Sequence, residues 1–228
     1  MDYAIIVAGG SGTRMGTEVP KQFLPVNGLP ILMRTISRFR EYSPALRIVL
    51  VLPKDQHEYW ARLCKEYGFA PVDDIACGGE TRFHSVKNGL ALIPDDADGV
   101  VAVHDGVRPF VSLDVIRRCF ETARQGKAVV PVAPVVDTLR LIDADGGSRT
   151  VARDDYRLVQ TPQTFGIKAL KQAYDRPYEK AFTDDASVME GAGHGITLVE
   201  GNRENIKITT PFDLEVAQII APAYGQGA

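Results

Sequence analysis

Four short, unbroken apolar runs limit what this chain can become: residues 3–8, Arg47-Ile48-Val49-Leu50-Val51-Leu52, Val100-Val101-Ala102-Val103 and Ala128-Val129-Val130-Pro131-Val132. A strand with one wet face alternates apolar and polar residues. A run without alternation predicts a strand covered on both faces. Between the runs, Ile31, Leu32, Ile36 and Phe39 recur at helical spacing. Further helices are predicted over 55–67, ended by Gly68, and over 113–125, closed by Gly126. Another starts at a Thr81 cap and is expected to bury Val86, Leu90 and Leu92. Strands alternating with helices predict an α/β fold: a mostly parallel sheet, helices on both faces, right-handed crossovers.

The alternation breaks at 135–160. Val136 to Ile142 alternates, Asp143-Ala144-Asp145-Gly146-Gly147 turns, and Thr150-Val151-Ala152-Arg153 leads back, which predicts a β-hairpin. An isolated two-stranded arm is marginal in water. It is therefore expected to protrude from the sheet and pack against a second subunit. The chain otherwise reads as one domain over 1–228, with this arm inserted in it. The tail from Ala223 is expected to fray.

Net charge is −3, with 24% charged residues, which excludes a general attraction to nucleic acid. An anion site must therefore be a local cluster of cations. No apolar run reaches membrane-spanning length, and Met1-Asp2-Tyr3 enters a strand without a signal peptide. Cys64, Cys77 and Cys119 fit neither a metal pattern nor a disulfide framework. Each reads as a buried structural thiol, in keeping with a reducing cytoplasm.

The first run empties into Gly9-Gly10-Ser11-Gly12-Thr13-Arg14-Met15-Gly16, followed by Pro20-Lys21-Gln22-Phe23. Glycines such as Gly9, Gly10 and Gly12 let backbone N–H groups approach a phosphate, and Arg14 and Lys21 can carry its charge. The loop is not a P-loop, because no glycine precedes Lys21, and Met15 breaks the dinucleotide pattern. Strand, glycine loop and paired cations predict a nucleotide site at the carboxyl edge of the sheet.

Four more segments carry polar groups of interest. Gly78-Gly79-Glu80-Thr81-Arg82-Phe83-His84-Ser85 puts a helix N-terminus beside a close-approach glycine, which suits reading a base or an ordinary cap. His104-Asp105-Gly106-Val107-Arg108-Pro109 follows a strand, where Asp105 and Arg108 read as ligand groups or as a structural pair, and His104 as structural. Thr161-Pro162-Gln163 is followed by Thr183-Asp184-Asp185-Ala186-Ser187, with Thr183 read as opening a helix. Asn205-Ile206-Lys207-Ile208-Thr209 reads as a short apolar strand whose lysine either reaches an anion or snorkels to water. Asp143 and Asp145 match a metal-binding Asp-x-Asp pair, but the two glycines that follow make them a turn.

In this order the segments resemble the 2-C-methyl-D-erythritol 4-phosphate cytidylyltransferase family of the non-mevalonate isoprenoid pathway, with matched pieces from Val7 to Asp213. The resemblance implies a Rossmann-like sheet, dimerised through the arm. It implies that Arg14 and Lys21 hold the phosphates of CTP and that Lys207 lies at the α-phosphate. Ala8, Gly9, Gly79, Glu80 and Ser85 fall where the family recognises cytosine, although the family commonly has Asp at the Glu80 position. Asp105 and Arg108 match the acceptor-side loop, with Thr161 and Thr183 near methylerythritol phosphate. Thr138 and Arg153 match arm residues that reach into the partner subunit's site. Mg²⁺ is implied as a cofactor held mainly by the CTP phosphates; no carboxylate cage is visible. Ribitol 5-phosphate is the rival acceptor, a hexose phosphate a more distant one, and a catalytically silent nucleotide-binding module the rival of another class. The presence of both Arg14 and Lys21 speaks against the last.

Overall fold

A computed structural model describes residues 1–9 and 19–224. In chain order, strand β1 (Tyr3–Val7) is followed by the short strands β2 (Pro25–Val26) and β3 (Leu29–Pro30) and by helix α1 (Ile31–Tyr42). Then come β4 (Arg47–Leu52), α2 (His57–Glu66), β5 (Asp74–Cys77), α3 (Arg82–Leu90), β6 (Val100–Asp105), α4 (Leu113–Arg124) and β7 (Ala128–Pro134). The second half holds β8 (Arg140–Ile142), β9 (Ser148–Thr150), β10 (Arg157–Val159), β11 (Gln163–Gly166), α5 (Ile167–Tyr174), α6 (Asp185–Gly191), β12 (Ile196–Glu200) and α7 (Pro211–Ile220).

Among the described residues, eight strands form one sheet in the order β10-β7-β11-β6-β1-β4-β5, with β12 also paired to β7. β1 lies parallel between β4 and β6, with Ile5 opposite Val49 and Val103. β5 continues this direction beside β4, and β12 runs parallel to β7. β10 and β11 run the other way: β11 is antiparallel to β6 and β7, and β10 is antiparallel to β7.

The unbroken apolar runs follow from this layering. Successive β1 residues point to opposite faces. Ala4 and Ile6 join a core with Met33, Ile36 and Phe39 of α1, Trp60 of α2 and Phe120 of α4. Tyr3 and Ile5 join a second core with Val86 and Leu90 of α3 and Leu170 and Tyr174 of α5. With both faces dry, no position along β1 is left for a polar residue.

β8 and β9 pair only with each other among the described residues, in register from Arg140–Thr150 to Ile142–Ser148, and protrude as a hairpin. Its turn closes through the Asp143 N–H to the Gly147 carbonyl (2.8 Å) and the Gly147 N–H to Asp145 Oδ1 (3.0 Å), with Gly146 at φ +87°. The Asp-x-Asp segment is thus a turn tip. Not all of 135–160 protrudes, since Arg157–Val159 belongs to the main sheet.

Three local expectations need correction. α3 ends at Leu90, so Leu92 lies past the helix and is 42% exposed, while Ile93 takes the buried position. Cys77 is exposed and Cys64 half-buried; only Cys119 is fully buried, where desolvation pushes its thiol up to about 12. Ile206–Ile208 form no strand: the Ile208 N–H makes one bond to the Val107 carbonyl (3.0 Å) rather than a ladder. Residues 225–228 of the tail lie outside the described residues.

α3 can approach the sheet closely because residue 89 has no side chain. A Cβ there would stand 2.9 Å from Ile5 Cγ2 and 3.1 Å from Val51 Cγ2. Gly89→Val is expected to destabilise the fold by about 1–3 kcal/mol through overpacking, read as a lower urea midpoint at unchanged slope. An unchanged midpoint would show that α3 is not seated on β1 and β4 as described.

Candidate active site

β1, β4 and β6 end at Val7, Leu52 and Asp105 on the same sheet edge, and α3 begins there after β5. The resulting cleft is walled by Ala8, Gly9, Lys21 and Gln22 on one side and by Gly79, Glu80, Thr81, Arg82 and Ser85 on another; Asp105, Val107 and Lys207 close it. It lies where an open α/β sheet binds its ligand.

The α3 wall is built by a cap. Thr81 accepts the His84 N–H (3.4 Å), and the Ser85 hydroxyl accepts the Gly79 N–H (3.0 Å). A Cβ at Gly79 would lie 2.4 Å from His84 Cβ, so only glycine lets the turn close. On the opposite wall, the buried Gln22 donates from Nε2 to the Ala8 carbonyl (3.1 Å) and to Gln56 Oε1 (2.6 Å), which fixes the end of β1 beside Lys21.

Asp105 is the electrostatic centre. Lys207 Nζ lies 3.0 Å and Arg108 Nε 3.1 Å from Oδ2, and Arg82 Nε lies 3.8 Å from Oδ1. Burial opposes the charge of Asp105, but the combined attraction of Arg82, Lys207 and Arg108 holds its carboxyl well below the usual carboxylate range. Arg82 also donates to Asp185 Oδ2 (2.6 Å), and the Tyr174 hydroxyl donates to Asp185 Oδ1 (2.7 Å). Burial and the neighbouring Asp185 carboxylate both raise the Tyr174 phenol, so it stays a neutral donor.

Lys207 is carried by an irregular segment pinned at both ends. Ile208 bonds Val107, as above, and Asp213 of the α7 capping box accepts the Thr209 and Thr210 N–H groups (2.8 Å each). Arg108 Nη1 donates to the Asn205 carbonyl (2.8 Å), which ties the same segment to the β6 loop.

His104 is fully buried beneath this group. Its Nε2 donates to the Arg108 carbonyl (3.0 Å), because a carbonyl can only accept; its Nδ1 therefore accepts from the Thr161 hydroxyl (2.9 Å). Thr161 in turn accepts the Asp105 N–H (3.2 Å). Thr161 thus supports the Asp105 backbone from below rather than lining the cleft.

Thr183 is not the helix cap. Asp184 caps α6, accepting the Ser187 N–H (2.9 Å) while the Ser187 hydroxyl meets the Asp184 N–H (3.2 Å), and Thr183 stands exposed one residue earlier. A carboxylate with a reciprocal serine out-competes the neighbouring hydroxyl. Thr138 and Arg153 lie exposed on the arm and do not line this cleft; Arg153 donates to the Val136 carbonyl (2.6 Å), with Asp154 3.9 Å away. Arg14, Gly10 and Gly12 lie outside the described residues. Arg82 and Gln22 also line the cleft, beyond the residues the sequence points to. A cation in the first turn of a helix opposes the macrodipole, and that misfit was the available signal for Arg82.

A mostly parallel sheet with a cation-walled cleft across its carboxyl edge defines an α/β protein of the Rossmann-like, nucleotide-binding class. The family model for IspD, 2-C-methyl-D-erythritol 4-phosphate cytidylyltransferase, matches residues 3–222. The chain is 59% identical to the protein of that name from Bacteroides thetaiotaomicron over 216 residues, 95% of this chain and 97% of the relative. The Porphyromonas gingivalis protein of the same name is 51% identical, covering 96% of each chain. Among solved structures, the Anaerococcus prevotii 4-diphosphocytidyl-2C-methyl-D-erythritol synthase superposes with a TM-score of 0.82 at 29% identity over 97% of this chain and 96% of that one. The Thermus thermophilus 2-C-methyl-D-erythritol 4-phosphate cytidylyltransferase gives 0.75 at 32% identity over 97% and 100%. The chain belongs to the 2-C-methyl-D-erythritol 4-phosphate cytidylyltransferase family.

The His104 relay carries a pH signature. Burial, the largest influence, lowers this imidazole to about 4, against about 6.5 for an exposed histidine. A group whose folded pKa is depressed stabilises the fold above its unfolded pKa, and that contribution is lost as pH falls through the folded value. His104 should therefore contribute on the order of 3 kcal/mol at pH 7 that is lost between about pH 6.5 and 4. Urea midpoints measured from pH 8 to pH 4 should fall less steeply for His104→Gln than for the wild type. Parallel curves would contradict a buried neutral imidazole.

Proposed function

We propose that this chain transfers the cytidylyl group of CTP to 2-C-methyl-D-erythritol 4-phosphate, giving 4-diphosphocytidyl-2-C-methyl-D-erythritol and pyrophosphate. Family membership over nearly the whole chain supports the reaction. The observation that carries it is the meeting of Lys21 and Lys207 in one cleft at the sheet edge, beside the start of α3.

In this reading an oxygen of the acceptor's phosphate attacks the α-phosphorus of CTP. A phosphorus–oxygen bond forms, the bond to the β-phosphate oxygen breaks, and pyrophosphate leaves with that electron pair. The attacking phosphate is already ionised near neutral pH, so no general base is needed. The buried His104, with both ring nitrogens occupied, fits that absence. The barrier lies in bringing two anions together, and fixed positive charge lowers it. Arg14, Lys21 and Lys207 take that role. Ala8, Gly9, Gly79, Glu80 and Ser85 form the cytosine wall, with Gly10 and Gly12 on the phosphates. Asp105 and Arg108 serve the acceptor side, with Thr161 acting through the Asp105 backbone that it holds and the exposed Thr183 as a further acceptor-side group.

Mg²⁺ enters this reading as part of the nucleotide substrate, where it neutralises phosphate charge. No group of three His, Cys, Asp or Glu among the described residues could hold a metal, and Asp105 is already taken up by three cations. Three free cysteines support a cytoplasmic setting; among the described residues no helix is long and apolar enough to cross a membrane.

The arm supports a homodimer. Its side of the molecule exposes Val136, Leu141, Ile142, Tyr156, Leu158 and Val159, with Ile142 67% and Leu158 55% accessible. Such a surface is expected to be covered. Arg153 would then complete the acceptor site of the other subunit. Mixing Arg153→Ala with Lys21→Ala subunits tests this. Each variant alone should be nearly inactive, whereas a mixed dimer carries one site with both defects and one with neither. About a quarter of wild-type activity should return on free, equal exchange. No recovery despite verified exchange would place Arg153 outside the partner's site.

The acceptor is tested by pyrophosphate release with CTP and Mg²⁺, comparing methylerythritol phosphate with ribitol 5-phosphate. A kcat/KM at least tenfold higher for the former is expected. The reverse preference would overturn the assignment of the acceptor.

A further inference from the structure

Arg82 occupies an unusual place. It is the first residue of α3, next to the Gly79–Ser85 turn, yet its guanidinium reaches two carboxylates on other elements. One is Asp185, fully buried and held from its other oxygen by Tyr174, whose ring stacks on Phe83 at 4.6 Å between centroids. This anchors the guanidinium firmly. The other is Asp105, across the cleft.

The two oxygens of Asp105 are treated differently. Oδ2 faces Lys207 and Arg108 at hydrogen-bonding distance, whereas Oδ1 faces Arg82 at 3.8 Å, too far for a hydrogen bond. Oδ1 therefore keeps its capacity to accept a bond from a substrate hydroxyl, while the charge of Arg82 fixes the direction in which it points.

We propose that Arg82, anchored by Asp185, is a positioning residue that sets the rotation of the Asp105 carboxylate and so links the nucleotide-side helix to the acceptor-side loop. The proposal rests on the reaction argued above. A lysine cannot replace this arginine, because one ammonium cannot span two carboxylates on opposite sides of a planar fork. The partner Asp185 sits on α6, so three elements that are distant in sequence meet in one guanidinium.

The test uses Arg82→Lys and the double variant Arg82→Gln/Asp185→Asn, which leaves no lone buried charge, each with and without Asp105→Asn. In the double variant the acceptor's KM should rise tenfold or more while the KM for CTP stays within twofold. In the Asp105→Asn background the same change should add less than twofold, because the carboxylate being positioned is gone. Arg82→Lys should show the same KM split and serves if the double variant does not fold. Equal rises in both KM values, full additivity with Asp105→Asn, or a loss of stability with both KM values unchanged would overturn the proposal. A crystal structure of either variant is the arm independent of turnover: the Asp105 carboxylate should be rotated relative to wild type, and an unmoved carboxylate would overturn the proposal. Wild-type protein inactive with CTP and methylerythritol phosphate would instead overturn the reaction, leaving the crystallographic comparison to decide on Arg82.

Discussion

The arrangement of this molecule turns on one buried carboxylate. A cleft made to receive polyphosphate must gather cations, and gathered cations repel one another when no anion is present. Asp105 answers that repulsion from within: Lys207, Arg108 and Arg82 converge on it from an irregular segment, a β6 loop and a helix start. Because the three come from distant stretches of chain, their shared counter-ion also fixes how those stretches sit. His104 and Thr161 hold Asp105 from below by its backbone, so the charged end moves little. Lys207 is the most exposed of the group, at 43%, and is the cation most able to turn towards an arriving phosphate.

Much of the fold was readable because the physics that makes it is local. A run such as Arg47–Leu52, five of its six residues buried, can be stable only where both faces are covered. β11 was not readable for the opposite reason. Gln163-Thr164-Phe165-Gly166 carries two polar residues and a glycine, yet it is buried between β6 and β7. Its burial depends on partners far along the chain. Gln163 donates to Asp184 Oδ2 (2.8 Å) and accepts the Ala186 N–H (2.8 Å) at the start of α6. Nothing in the four residues themselves announces that satisfaction.

The candidate site divides the same way. Asp105, Arg108 and Lys21 stand next to strand ends, so their position could be read from the strands. Lys207 was noticed as a misplaced charge, although the expected strand around it does not form. Arg82 shows in sequence only as a cation misplaced in a first helical turn, and its place in the site depends on Asp185, about a hundred residues further along the chain. Thr183 and Asp184 are both residue types that can cap, and only the reciprocal bond with Ser187 places the cap at Asp184.

The close approach at Gly79 has a consequence for how this protein can vary. With 2.4 Å between a hypothetical Cβ and His84 Cβ, the turn before α3 offers evolution no foothold at that position. Ser85 is equally committed, since its hydroxyl holds the Gly79 N–H. Glu80, exposed between them, is the neighbour whose side chain can change without disturbing the turn. Variation along this wall of the cleft is therefore channelled through one side chain on a rigid frame.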